Sequence, residues 1–175
     1  VDEELNRLIR DAKRGDKDAF TKLISLYKAP VYRHAFGMLG DKMEAEDAAQ
    51  EAFIKAYSFI SRLENEYSYS AWMIRIVSNV CMDRLKKRRK ERALVSESIA
   101  EARSPSTRDE HLGLTVEEAM RKLTPEHRQV ILLHDVQGYR YEEIADLIGI
   151  PMGTVKSRLN AGRLALRNEL KKGDE

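Results

Sequence analysis

Three groups of side chains in this sequence have the types and spacings needed for binding chemistry. The first is a stripe. Residues 71–92, AWMIRIVSNVCMDRLKKRRKER, contain neither glycine nor proline, which predicts one uninterrupted helix. At about 100° per residue, Trp72, Arg75, Asn79, Asp83, Lys86 and Lys90 share one side of it. Met73, Ile74, Ile76, Val77, Val80, Cys81 and Leu85 share the other. An indole beside Arg and Asn, running into cations, offers what an unpaired nucleic-acid strand requires: a ring to stack on, hydrogen-bonding groups and countercharge for phosphates. The same stripe also fits a core-edge tryptophan on an ordinary amphipathic helix.

The second group lies in YRYEEIADLIGIPMGTVKSRLNAGRLALRNEL, residues 139–170. Ile144, Ala145 and Ile148 predict a short helix, Gly149, Ile150 and Pro151 a turn, and Val155, Leu159, Gly162 and Leu166 the buried stripe of a second helix. A small residue in the first helix, glycine in the turn and aliphatics in the second suit two helices crossing at a tight turn, a helix-turn-helix. Gly153, Thr154, Lys156, Ser157 and Asn160 then face outward, with Arg158 and Arg163 towards the flanks. Hydroxyl, amide and cationic groups on such a face read base edges and grip phosphates. The third group is Asp47, Gln50, Glu51 and Ile54, which lie together opposite a run of alanines. An isoleucine rimmed by polar and acidic groups suits a protein partner, although a lone exposed isoleucine is common.

Catalytic and metal-binding arrangements are missing from this inventory. No nucleophile–base–orienter set and no G-x-x-x-x-G-K-[ST] loop occurs, and the four histidines lack metal-ligand spacing. The single cysteine, Cys81, falls on an apolar helix face, so no internal disulfide framework is expected. The reading is a non-enzyme with no cofactor and no metal.

The elements that position these groups follow from composition and period. With 42% hydrophobic and 34% charged residues, four prolines and nine glycines, the chain of 175 residues reads as all-α. No apolar run approaches a membrane span, and the charged opening VDEELNRLIRDAKRGD carries no secretory pattern, so a cytoplasmic protein is expected. Helical spacing marks 3–14 and 18–28, broken at Arg14, Gly15 and Asp16, with Asp16 as N-cap. Pro30 is expected to open a separate helix lasting to Leu39. Residues 44–60 follow, with Ala45, Ala48, Ala49, Ala52 and Ala56 allowing close packing on one face. Residues 62–70, RLENEYSYS, read as a loop feeding the tryptophan helix. The Ser-rich stretch 93–112 reads as a flexible linker between two domains, with helix able to continue into its start. Beyond it, Thr115 opens a helix with Glu117 and Glu118 in its first turn, and Thr124 with Pro125 opens another through His134. Two small helical domains result, at 1–92 and 113–175.

The net charge of +2 conceals a strong polarity: −4 over 41–66, +6 over 84–92 and +5 over 156–172. Two separated basic blocks suit a long polyanion touched twice.

With these motifs placed, the chain resembles the extracytoplasmic-function sigma factors of the bacterial sigma-70 family. EAEDAAQEAFIKAY resembles the family's core-polymerase-binding helix, AWMIRIVSNVCMDRLKKRR its promoter-melting helix, and LTPEHRQVILLHDVQGYRYEEIADLIGIPMGTVKSRL the region ending in its −35-reading helix-turn-helix. The resemblance implies that core RNA polymerase binds at Asp47, Gln50 and Glu51, with Ile54 adding the apolar contact of the same face. It implies that Asn79 lies close to a flipped −10 base, whose pocket is formed by the loop carrying Tyr67, Ser68, Tyr69 and Ser70. The −10 set then includes Trp72, Arg75, Asn79, Asp83, Lys86, Lys87 and Lys90, with Arg88 and Arg89 beside them in the cationic run. It matches Lys156, Ser157 and Arg158 to the −35-reading stretch, with Arg163 fitting it, and the outward face adds Gly153, Thr154 and Asn160 to the −35 set. It also implies an anti-sigma factor as a partner, able to hold this chain at the membrane without inserting it. One departure stands out: after Ser157, Arg158 and Leu159 the family usually continues with a basic or aromatic residue and then Arg, whereas this chain has Asn160, Ala161 and Gly162. That implies weaker −35 binding or an unusual −35 sequence. The rival is a helix-turn-helix repressor or activator working without core polymerase, which explains 139–170 but neither the acidic face nor the tryptophan stripe.

Overall fold

Two helical bodies, built on different scales, make up the protein. The computed structural model describes residues 2–96 and 115–173, and among these there is no strand. The first body comprises α1 (Asp2–Lys13), α2 (Lys17–Leu39), α3 (Lys42–Phe59) and α4 (Tyr69–Ser96), with one-turn 3₁₀ segments at Ile60–Arg62 and Glu66–Ser68. Asp16 caps α2, its carboxylate accepting from the Asp18 and Ala19 amides at 3.0 and 3.1 Å. Gly40, at φ +69°, closes α2 in the left-handed region that glycine tolerates best. Asp41 then caps α3 through the Glu44 amide at 2.9 Å. The alanine face behaves as its period predicts: Ala45, Ala48, Ala52 and Ala56 are fully buried, and their small side chains bring α3 close to α2 and α4.

Two expectations for this body change. Pro30 opens no helix; it lies inside α2, which is continuous from Lys17 to Leu39. An interior proline removes one backbone bond and costs roughly 3 kcal/mol. Here the buried stripe of Leu23, Val31, His34, Ala35 and Met38 keeps helical register across it and holds both halves to one core. The loop expected over 62–70 is largely ordered into the second 3₁₀ turn and the start of α4, which also runs on through Ser96. Residues 93–96 of the expected linker are therefore helical, and 97–112 lie outside the described residues.

The second body comprises α5 (Val116–Arg121), α6 (Pro125–Ile131), a π turn at Leu132–Val136, α7 (Tyr141–Ile148) and α8 (Met152–Lys172). Thr115 and Glu118 form a capping box at the start of α5, and the Thr124 hydroxyl accepts from the His127 amide at 3.2 Å to start α6. The helix expected through His134 changes type at Leu132. The Gln137 amide reaches five residues back to the Leu132 carbonyl, at 2.9 Å, inserting one extra residue into the turn. Val130, Leu133, Ile144, Val155 and Leu159 form the core of this body, and Gly149, at φ +70°, makes the turn between α7 and α8.

Candidate nucleic-acid interface and protein-binding face

α4 divides as its wheel predicts. Met73, Val77, Val80 and Cys81 are buried in the first body, while Arg75, Asn79, Asp83, Lys86, Lys87 and Lys90 are exposed and Trp72 is half-buried. Burial pushes the Cys81 thiol up to about 12, which keeps it protonated and unreactive. Trp72 is held rather than floating: its ring lies 5.8 Å from that of Tyr69, which in turn meets Tyr27 edge-on at 5.0 Å. Ser70 shares a 2.9 Å hydrogen bond with the Tyr27 hydroxyl. The turn before α4 is pinned by Asn65, whose side chain accepts from the Tyr67 amide and whose carbonyl accepts from the Ser68 hydroxyl at 2.7 Å. Tyr67, 80% exposed, and Ser68 project to solvent.

Tyr69 departs from the expected pocket loop. Only 1% of it is exposed, and burial pushes its phenol above the usual range. It is the packed base on which Trp72 rests, not a group presented to a ligand. The cationic run also sorts itself. Arg88 pairs with Glu44 of α3, and burial holds its guanidinium below the usual range. Arg89 lies 3.6 Å from Glu126 of the second body. Arg88 is thus engaged inside the molecule, whereas Arg89 keeps an exposed side chain beside the exposed lysines of the run.

On α3, Asp47, Gln50 and Ile54 share an exposed face, and Ile54 is 63% exposed. Glu51 turns aside. Its carboxylate accepts from the Arg84 guanidinium at 2.8 and 3.2 Å and lies 3.5 Å from Lys55, and the Arg84 hydrogen bond above all holds it below the usual carboxylate range. The remaining face opens onto something that sequence periodicity did not reveal. A groove of about 960 Å³ runs between α2 and α3, lined by Phe20, Ile24, Tyr32, Phe53, Ile54 and Tyr57. Asp47 and Gln50 stand on its wall. The signal for it was available in Ile24 and Tyr32, apolar residues of α2 that the single buried stripe does not need.

In the second body, α8 presents Gly153, Lys156, Ser157 and Asn160 to solvent, with Thr154 and Arg158 half-buried beside them and Val155 and Leu159 beneath. The Ser157 hydroxyl donates to the Thr154 carbonyl at 3.1 Å, its local resting partner. Arg163 has a partner within the protein: its guanidinium donates to both oxygens of Asp135 in the π turn, at 2.5 and 3.1 Å, which raises its affinity for its proton. That pair ties α8 to the π turn, a structural role the sequence did not disclose. Among the described residues, no group of His, Cys, Asp and Glu is placed to hold a metal, and no helix is long and apolar enough to cross a membrane.

Comparison with known proteins agrees with this arrangement. The family models described as Sigma-70 region 2 and Sigma-70, region 4 match residues 23–91 and 114–166. The chain is 34% identical to the ECF RNA polymerase sigma factor SigW of Bacillus subtilis, over 95% of this chain and 97% of that one. It is 31% identical to the RNA polymerase sigma-H factor of Pseudomonas aeruginosa, over 96% and 94% of the two chains. Its fold matches CnrH, solved with the cytosolic domain of CnrY, at a TM-score of 0.70 with 21% identity, covering 96% of this chain and 97% of that one. It matches RpoE of Bartonella quintana, solved with the anti-sigma factor NepR, at 0.68 with 24% identity, over 87% and 96% of the chains.

Proposed function

The chain belongs to the extracytoplasmic-function sigma factors of the sigma-70 family, and we propose that it acts through three surfaces already described. The groove between α2 and α3, with Asp47, Gln50 and Ile54 on its wall, docks on core RNA polymerase. The α4 stripe takes the −10 element as an unpaired strand, and the outer face of α8 takes the −35 element as duplex. As a sigma factor the protein is a transcription-initiation factor. In this reading it catalyses nothing itself, works in the cytoplasm, and is restrained by an anti-sigma factor.

The observation that carries the −10 assignment is the exposure of Arg75, Asn79 and Lys86, beside a half-buried Trp72, along a helix whose opposite side is buried. Opening a promoter without nucleotide fuel requires that the open strand be trapped. Unstacking a base costs a few kcal/mol, and a base stacked on an aromatic side chain returns about 1–3 kcal/mol. Trp72 is suited to that exchange because Tyr69 and Tyr27 fix its ring in advance, so little freedom is lost when a base arrives. Tyr67 and Ser68, pinned by Asn65 at the edge of the stripe, stand where a displaced base would be received. Melting and sequence reading then become one event. A repressor working without polymerase has no use for this stripe or for the α2–α3 groove.

The test uses reconstituted holoenzyme on two templates, an ordinary duplex promoter and the same promoter with a pre-melted −10 bubble. Trp72→Ala and Asn79→Ala are expected to reduce transcription on the duplex and to recover partly on the bubble, where the unpairing cost is already met. Lys156→Ala and Ser157→Ala, acting at −35, should gain no more from the bubble than wild type gains. Equal rescue of both pairs removes the special role of the stripe.

A further inference from the structure

The segment that feeds α4 is short and held at both ends. Leu63 and Tyr69, 6% and 1% exposed, are buried in the first body, and only residues 64–68 span the gap between them. Ser70, just beyond, shares its hydroxyl bond with Tyr27 of α2, and Glu66 lies 3.7 Å from Lys13 of α1. Within this frame one residue does most of the shaping. The Asn65 backbone is extended, at φ −130° and ψ 118°, which lets its side chain fold back over the turn that follows. Its side-chain oxygen accepts from the Tyr67 amide at 3.0 Å. Its carbonyl accepts from the Ser68 amide at 3.1 Å and from the Ser68 hydroxyl at 2.7 Å. Both residues after Glu66 therefore take their conformation from Asn65.

Tyr67 is 80% exposed, so packing does little to place it and the backbone must. A single 3₁₀ turn is weak by itself, because its hydrogen bonds are poorly aligned and each residue left free regains backbone entropy. An Asn side chain bonded to a nearby amide is the local device that offsets this. The same device sets the chemistry on offer. A serine hydroxyl has one proton, and Ser68 gives its proton to the Asn65 carbonyl, so what it turns to solvent is lone pairs. An oxygen presented in that way accepts from the amino or ring N–H groups of a base edge. Trp72 and the cations of the stripe cannot discriminate in this manner. Trp72 offers a ring face, and every base can stack on one. Arg75 and Lys86 offer charge, which positions a strand by its phosphates without reading it.

We propose that Asn65 is a positioning residue for base discrimination. Without touching the strand, it holds Tyr67 and Ser68 in the conformation that receives a displaced −10 base, and it aims the Ser68 oxygen at that base's donor groups. The proposal rests on the reading of the α4 stripe as the seat of the unpaired −10 strand. It divides that surface into two parts. The stripe supplies affinity for any strand, and the turn adds the preference for one base. When the turn is loosened, binding of the cognate strand falls with the fraction of molecules still in the reading conformation. A strand with the wrong base never used that conformation and loses nothing.

The test measures binding of holoenzyme to the single non-template −10 strand of a selected promoter, and to the same strand with each −10 base replaced in turn. Wild type should bind about tenfold more weakly when the base received by the turn is replaced, the usual size of one mismatched position. Asn65→Ala should weaken binding of the cognate strand about tenfold and leave the strand replaced at that position within about twofold of wild type, which brings the ratio close to one. Asn65→Ser should restore the ratio, since serine also accepts from an amide at the start of a turn but carries no side-chain amide of its own. An Asn65→Ser protein no better than Asn65→Ala means that the Asn65 amide reads the base directly, and the positioning role falls. A ratio that Asn65→Ala leaves unchanged overturns it too, as does a wild type that binds every strand alike. Trp72→Ala separates the two claims: it should weaken cognate and replaced strands alike and keep the ratio. If it weakens neither, the reading of the stripe falls. If it acts as expected while Asn65→Ala keeps the ratio, only the role of Asn65 falls.

Discussion

The two DNA-facing domains are held together by different means. The first packs four helices on buried residues that include Ile9, Leu23, Met38, Ala52 and Val77, and it pairs Arg84 with Glu51 and Arg88 with Glu44 within itself. The second has only short helices and one long one, and gathers three of its own carbonyls, with one from its neighbour, around the single guanidinium of Arg128. A body of about 60 residues buries a smaller share of its surface and is marginal by itself. The difference is instructive: the domain proposed to trap a melted strand packs four helices of its own, whereas the domain proposed to dock on preformed duplex anchors its buried guanidinium partly on a carbonyl of its neighbour.

The largest effect should come from breaking that dependence. Arg128→Leu removes a buried cation and leaves the carbonyls of Met120, Arg121, Leu123 and Met38 without their donor. Each buried carbonyl left without a donor costs about 1–3 kcal/mol, offset in part because the cation no longer has to be desolvated. In urea unfolding, the loss should fall on the second domain, so that far-ultraviolet circular dichroism shows an early transition that precedes the main unfolding of the first. A variant whose two domains unfold together, at the wild-type midpoint, would erase the proposed contrast.

A smaller effect comes from the other side of the same interface. His34 is fully buried, and burial lowers its pKa to about 4 although the Gln137 hydrogen bond opposes the shift. The folded, docked chain therefore binds fewer protons than the unfolded chain between pH 4 and the ordinary histidine value of about 6.5. Stability is fully present above that value and is lost as pH falls through the window, by up to about 3 kcal/mol at its lower end. Thermal melting at pH 7 and pH 5 should show the loss, and His34→Leu should flatten it. A wild-type melting temperature indifferent to this change would place His34 outside the core.

These groups also mark where the sequence stops being legible. The alanine face of α3, the two faces of α4 and the helix-turn-helix could all be read, because each depends on residues three or four apart along one helix. Arg128 and Gln129 could not: within their helical pattern they look like solvent-facing polar residues, and their partners Met38 and Ser78 lie far away in the chain. The π turn was hidden because LLHDV continues an apolar run whose period does not show one extra residue. Pro30 misled for a related reason, since its local penalty is visible in sequence and the buried stripe that offsets it becomes visible only in three dimensions. Among the candidate site residues, Tyr69, Glu51 and Arg163 have suitable chemistry, but each is already committed to a partner within the protein.

The finest test of the contrast uses salt. Binding of each phosphate by a cation releases condensed counterions, and the slope of log affinity against log salt changes by about 0.9 per phosphate on duplex DNA and about 0.7 on a single strand. Lys156 is exposed on the outer face of α8, and Arg75 is exposed on the α4 stripe. With holoenzyme on a −35 duplex fragment, Lys156→Ala should flatten the slope by about 0.9 and weaken binding alike across promoter sequences, because a phosphate contact positions without specifying. With holoenzyme on a single −10 strand, Arg75→Ala should flatten it by about 0.7. Each substitution should leave the other probe's slope unchanged, since the two cations belong to separate domains. A single substitution that flattened both slopes would mean that the two cations lie on one path, and the two domains would then not differ in what they read.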